Sequence, residues 1–154
     1  MKRILTTAAA LFLLMLGAAA QQPTKQQLTK LGLKGAALTE VRKGIWSIQT
    51  AGKKTGHVVA SAPFAADVKG FNGPTPVFVH IDKTRKVRKI IALPSQDTPD
   101  FFNTAVTVLG KWEGKPAKNA AAQQVDAVSG ATYSSRGLIR NVRAALDAYN
   151  KYVK

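Results

Sequence analysis

Residues Asp126 to Ser135 place four small hydroxyl side chains, Ser129, Thr132, Ser134 and Ser135, around Gly130 and Ala131. They stand directly before a run with helical periodicity. Gly130 and Ala131 allow a ligand close to the backbone. The N–H groups of a helix start, the positive end of its dipole and nearby hydroxyls together suit a phosphate. Arg136 adds charge. A plain hydroxyl-rich helix cap is the competing reading of these residues taken alone. Asp126 stands six residues before Thr132, too far to cap the same turn; an Asx turn is its structural role.

Other side chains with chemical potential are few. Cysteine is absent, which removes disulfides, iron–sulfur ligation, thiolate zinc sites and thiol catalysis. Two histidines, His57 and His80, do not make a multi-histidine metal site; each fits a strand surface or a proton donor. Trp112, in a segment with Gly114 and Pro116, fits either stacking on a ring or closing the core. Phe71 is a weaker candidate of the same kind, and Trp46, inside a strand, belongs to the core.

The elements that must position these residues follow from periodicity. Gly44–Thr50 reads as a strand, Gly52–Gly56 as a turn and His57–Ser61 as a second strand that Pro63 ends. Val77, Val79 and Ile81 alternate with Phe78, His80 and Asp82, and Val87–Leu93 returns after a polar hairpin. Asp97-Thr98-Pro99 opens a helix with Asp or Thr as cap; Phe101, Phe102, Ala105, Val106 and Leu109 form its apolar stripe, and Gly110 ends it. Lys111–Gln124 reads as a loop. The last helix covers Tyr133–Tyr152, with Leu138, Val142, Leu146 and Tyr149 on one side and Arg136, Arg140 and Arg143 on the other. Upstream, Gln21–Lys30 reads as a polar lead-in passing into a short helix or turn around Leu28–Leu38. Strands first and helices after predict an α+β domain: a small antiparallel sheet of three to four or more strands, covered by helices.

The chain has 154 residues, 23 Lys+Arg against 8 Asp+Glu, and a net charge of +15. Residues 1–20 read as a signal peptide: Lys2 and Arg3, an apolar run from Ile4 to Leu16, then Ala18-Ala19-Ala20. That run is shorter than the roughly 20 residues of a spanning helix, which favours cleavage over a retained anchor. The expected organisation is a signal over 1–20, a lead-in over 21–43 and a domain over 44–154. Without Lys2 and Arg3, 21 basic side chains face 8 acidic ones, a net +13. Five basic residues lie between Lys83 and Lys89. They lack interleaved aromatics, so nucleic acid is not the expected partner. A solvated hairpin tip or docking to an anionic membrane surface or an acidic partner fits them better.

Asp-x-x-Ser-Gly-Ala-Thr at Asp126–Thr132 resembles the recognition motif of bacterial FMN-binding domains that a flavin transferase modifies. These include the peripheral flavin subunits of the sodium-translocating NADH:quinone oxidoreductase and of the Rnf complex. The similarity extends over about Gly44–Leu146, through Gly56–Phe64, Gly70-Phe71-Asn72-Gly73, the strand pair 77–93, Gln96–Pro99 and Trp112–Lys115. Asp97 stands where the family carries Glu. The resemblance implies FMN held covalently by a phosphoester at Thr132, with the flavin in a cleft between the sheet and two helices. Ser129, Gly130, Ala131, Asp126, Tyr133, Ser134, Trp112 and Thr98 are then the expected cofactor-binding residues. It also implies maturation by a magnesium-dependent transferase using FAD, with Asp126 recognised by that enzyme or binding its metal. Electrons would come from a membrane redox complex, and the protein would work outside the cytoplasmic membrane. A basic envelope-binding protein without flavin and an FMN-dependent reductase are the alternatives; no dinucleotide fingerprint supports the latter.

Overall fold

A computed structural model describes residues 20–154, so the expected signal peptide lies, but for Ala20, outside the described residues. Five strands form one antiparallel meander: β1 (Ala37–Arg42), β2 (Ile45–Thr50), β3 (Lys53–Ala60), β4 (Val77–Asp82) and β5 (Val87–Ala92). The helices are α1 (Lys25–Lys30), α2 (Pro99–Val106), α3 (Ala117–Ala122) and α4 (Thr132–Tyr152); α2 continues as a 3₁₀ segment over Thr107–Trp112. Strands precede most helices, and the fold is the expected α+β domain.

Period-two alternation in β4 sorts the two faces of the sheet. Val77, Val79 and Ile81 are fully buried beneath α2, α3 and α4, with Ile45, Val59, Val87, Leu138, Val142 and Leu146. Phe78, Trp46 and Val58 point the other way, into a smaller cluster closed by Leu28, Leu31 and Leu33. Both faces are therefore covered, and α1 with the turn after it is what covers the second. A capping box holds α1: the Thr24 hydroxyl accepts from the Gln27 amide while the Gln27 side chain accepts from the Thr24 amide.

Four expectations need correction. The helix or turn expected over Leu28–Leu38 is a helix that ends at Lys30, followed by strand β1 from Ala37. The sheet thus begins before Gly44. β1 is an edge strand exposed at every position but Leu38, so it carries no apolar alternation to read. The turn expected over Gly52–Gly56 is a two-residue loop, Ala51-Gly52, with both φ angles positive (50° and 75°). That geometry matches the strand twist, so β3 begins at Lys53 and its first residues are exposed and polar. Gly110 does not end its helix, because the 3₁₀ segment carries on to Trp112. The loop expected over Lys111–Gln124 contains α3, whose Ala117 and Ala120 pack against α4.

Candidate functional site

The site is assembled at one end of the sheet, where the loop 70–73 meets the first turns of α2 and α4. Asp97, immediately before the Thr98 cap position, joins all three. One carboxylate oxygen accepts from the amides of Asn72 (2.6 Å) and Gly73 (3.3 Å); the other accepts from the Phe71 amide (3.0 Å) and the Ser134 hydroxyl (2.5 Å). The expected helix cap is absent: the Thr98 side chain makes no capping bond, and the Asp97 carboxylate turns away from α2. Asp97 is only 4% exposed, and burial alone raises a carboxyl's pKa. The hydrogen bonds from Ser134, Phe71, Asn72 and Gly73 outweigh that and hold it below the usual carboxylate range.

Two glycines make this meeting possible. A methyl group on Gly70 would run into the Asp97 carboxylate. One on Gly137 would lie 2.6 Å from Thr75 Oγ1 and 3.0 Å from Gly70 Cα. Loop and helix therefore touch backbone to backbone. Below this contact, a buried polar chain fixes α4 to the sheet: Ser61 Oγ donates to Asn141 Oδ1 (2.7 Å), and Asn141 Nδ2 donates to Thr75 Oγ1 (3.2 Å) and Gly137 O (3.0 Å).

The hydroxyls of the Asp126–Ser135 stretch separate into distinct roles. Ser135 Oγ clips the stretch to its own helix, donating to Ala131 O (2.7 Å) and accepting from the Val128 amide (3.0 Å). Ser134 Oγ is held by Asp97. Thr132 is the first residue of α4, and Ala131 at the cap position has no side-chain oxygen for the helix N–H groups.

Around this helix start lies a cleft of about 240 Å³. It is lined by Gly130, Ala131, Thr132, Tyr133 and Ser134 from the start of α4, by Thr98 and Phe101 from the start of α2, and by Phe71 from the loop 70–73. Phe71 (65% exposed), Tyr133 (65%) and Phe101 (54%) are three of the four large hydrophobic side chains most exposed among the described residues. The Phe71 and Tyr133 rings stand 5.8 Å apart at 50°. Exposed aromatics gathered on one cleft mark a seat for a flat apolar group rather than a surface at rest.

Six expected residues line this cleft: Thr132, Gly130, Ala131, Tyr133, Ser134 and Thr98. Three do not. Trp112 is fully buried and donates from Nε1 to Ala120 O at 3.1 Å, closing the core beneath α3. Its Gly/Pro surroundings suggested a surface loop, but α3 folds over it. Asp126 and Ser129 are exposed and outside the cleft lining. The cleft itself sits between the two helix starts and loop 70–73, rather than between sheet and helices. Phe101, read as part of a core stripe, faces the cleft. It lies one turn before buried Ala105 on the same flank, and periodicity does not show where a stripe runs past the core's edge.

Neither histidine belongs to the site. His57 packs edge-on against Tyr149 (5.6 Å), and burial, aided by Lys54 and Arg85, lowers its pKa to about 4. His80 Nδ1 is bonded to Leu31 O (3.0 Å) on the opposite face. Among the described residues, no group of His, Asp and Glu is arranged to hold a metal ion. No helix among them is long and apolar enough to cross a membrane.

A family model described as an FMN-binding domain matches residues 70–147, half of the chain. The protein belongs to this FMN-binding domain family. Every cleft-lining residue falls inside the matched segment, as do β4, β5, α2, α3 and most of α4. The wider similarity read from the sequence also took in β2 and β3, which lie outside the match together with the edge strand β1. No curated protein matches the chain. The cleft suits the family's ligand: aromatic walls for a flavin ring, and an uncapped helix start with free donors for its phosphate.

Proposed function

We propose that this chain is an exported flavoprotein that carries FMN through a phosphoester at Thr132 and transfers electrons outside the cytoplasmic membrane. The observation that carries the reading is the place of Thr132. Of the four small hydroxyl residues near the helix start, Ser134 and Ser135 are engaged within the fold and Ser129 stands outside the cleft; Thr132 opens α4 and lines it. Attachment would follow phosphoryl-transfer chemistry. Thr132 Oγ forms a bond to the flavin-side phosphorus of FAD, the pyrophosphate P–O bond breaks, AMP leaves, and the hydroxyl proton passes to base. A flavin transferase with magnesium would supply the catalysis; among the described residues no group of His, Asp and Glu is arranged to hold that metal.

Flavin supplies the redox chemistry when bound, so no acid or base is demanded of the protein. Phe71, Phe101 and Tyr133 would wall the ring and keep water from part of it. The first-turn N–H groups of α4 would hold phosphate. Asp97 positions both walls at once, through loop 70–73 and Ser134. The cleft is smaller than the roughly 300–1,000 Å³ pockets that enclose a whole ligand. A flavin seated there keeps an exposed edge for a donor such as a membrane redox complex. Gel filtration of the matured protein in guanidinium tests the linkage: flavin absorbance is expected to elute with the polypeptide. Elution of all flavin as a small molecule overturns the ester.

A further inference from the structure

The end of the molecule opposite the cleft is strongly cationic. β4 runs from Val77, beside the cleft loop, to Asp82 at the β4–β5 turn, roughly 17 Å away at the usual rise per residue. Three concavities surround that turn. One, of about 670 Å³, lies on the α1 side and is lined by Lys30, Lys83, Arg88 and Lys89. A second, on the α4 side, is lined by Lys54, Lys83, Arg85 and Lys154; the third holds Arg85 and Lys118. Helix α1 and the β2–β3 hairpin thus bring distant lysines to the basic turn.

The acidic side chains here are already engaged. Asp82 accepts from the amides of Thr84 and Lys86, the Thr84 hydroxyl and Arg88 Nε (2.5 Å), which shapes the turn. Glu113 pairs with Lys89 at 3.2 Å. These are the two ion pairs among the described residues, so Lys30, Lys54, Lys83, Lys86 and Lys118 have no acidic partner there. The three exposed aromatics all lie at the cleft, leaving this end without the large apolar anchors that mark the centre of a protein–protein interface.

We propose that this basic end docks the protein on an anionic lipid surface through lipid phosphates, with the cleft held away from the membrane. Clustered lysines around an exposed turn suit the headgroup plane, where each cation near the surface strengthens binding roughly fivefold. The inference does not depend on flavin.

Flotation of the purified chain with vesicles tests it, using phosphatidylcholine alone or phosphatidylcholine with phosphatidylglycerol. Binding is expected only to the anionic vesicles and is lost at high salt. Lys83→Gln/Lys86→Gln is expected to weaken it roughly twenty-five-fold. Lys43→Gln/Lys69→Gln, equal in charge but outside the basic end, should leave most of it. Equal losses in the two variants would assign binding to overall charge and overturn the proposal. So would equal binding to neutral vesicles, which points to apolar residues 4–16. Salt-sensitive binding to polyglutamate without binding to vesicles would assign the surface to an acidic protein instead.

Discussion

Asp97→Asn is the most informative change to the scaffold. The amide keeps the size of the side chain but removes its charge and turns one acceptor into a donor. In the better orientation the new NH₂ faces Ser134, whose hydroxyl can accept, and the Phe71 amide is left without a partner. The bonds from Asn72 and Gly73 remain but lose charge assistance. Hydrogen bonds to charged groups are worth about 1.5–3 kcal/mol, and an orphaned buried donor costs about 1–3 kcal/mol. The net loss should be about 3 kcal/mol at neutral pH, on the order of 10 °C in Tm for a domain of this size. Chemical denaturation followed by the fluorescence of buried Trp46 and Trp112 measures it. The pH dependence gives a second check. Asp97's folded pKa is depressed, so its contribution is complete above the ordinary value of 3.8 and is lost as pH falls through the folded value. The gap between wild type and variant should therefore narrow below pH 3.8. A loss under about 0.5 kcal/mol, the scale of an ordinary surface change, or a gap that stays constant into acid would refute the role assigned to Asp97.

Other expected outcomes follow from the same geometry. Trp112→Phe should destabilise by about 0.5–1.5 kcal/mol through the lost bond to Ala120 O, which keeps the Gln123 amide, while flavin attachment at permissive temperature is unchanged; chemical melts and flavin fluorescence in denaturing gels check both. Phe101→Ala should cost less than about 1 kcal/mol, because the ring is more than half exposed, yet shift the absorbance and potential of the matured protein. Gly137→Ala should destabilise by about 1–3 kcal/mol, since the added methyl meets Thr75 and Gly70; a gain in Tm would contradict the close approach. His57 has its folded pKa depressed from 6.5 to about 4, so the unfolded chain binds its proton first and stability should fall as pH drops through that window. His57→Gln should flatten that part of the stability profile.

Much of the fold was legible because apolar residues follow the period of their elements. β4 alternates and both of its faces are buried, and α4 carries its stripe at Leu138, Val142, Leu146 and Tyr149. The failures have physical causes. β1 lies at the sheet edge and shows no alternation, and α3 is a short alanine-rich helix that buries only Ala117 and Ala120. Trp112 looked like a loop residue because what covers it is that unread helix. At the site, the motif located the helix start and Thr132, and local spacing could go no further. The fourfold acceptor role of Asp97 links residues 71–73, 97 and 134, a relation set by tertiary contact alone. Phe101 shares that limit, since exposure at a cleft is a property of the assembled surface.

The intact mass of the matured protein after co-expression with an active flavin transferase, beside Thr132→Ala, tests the ester at Thr132. An added FMN less one water is expected on the wild type and none on the variant, with Thr132→Ala still folded by its fluorescence melt. An unmodified wild-type mass, with the transferase shown to be active on a control substrate, would contradict it and leave the Asp126–Thr132 stretch as a helix start without an ester.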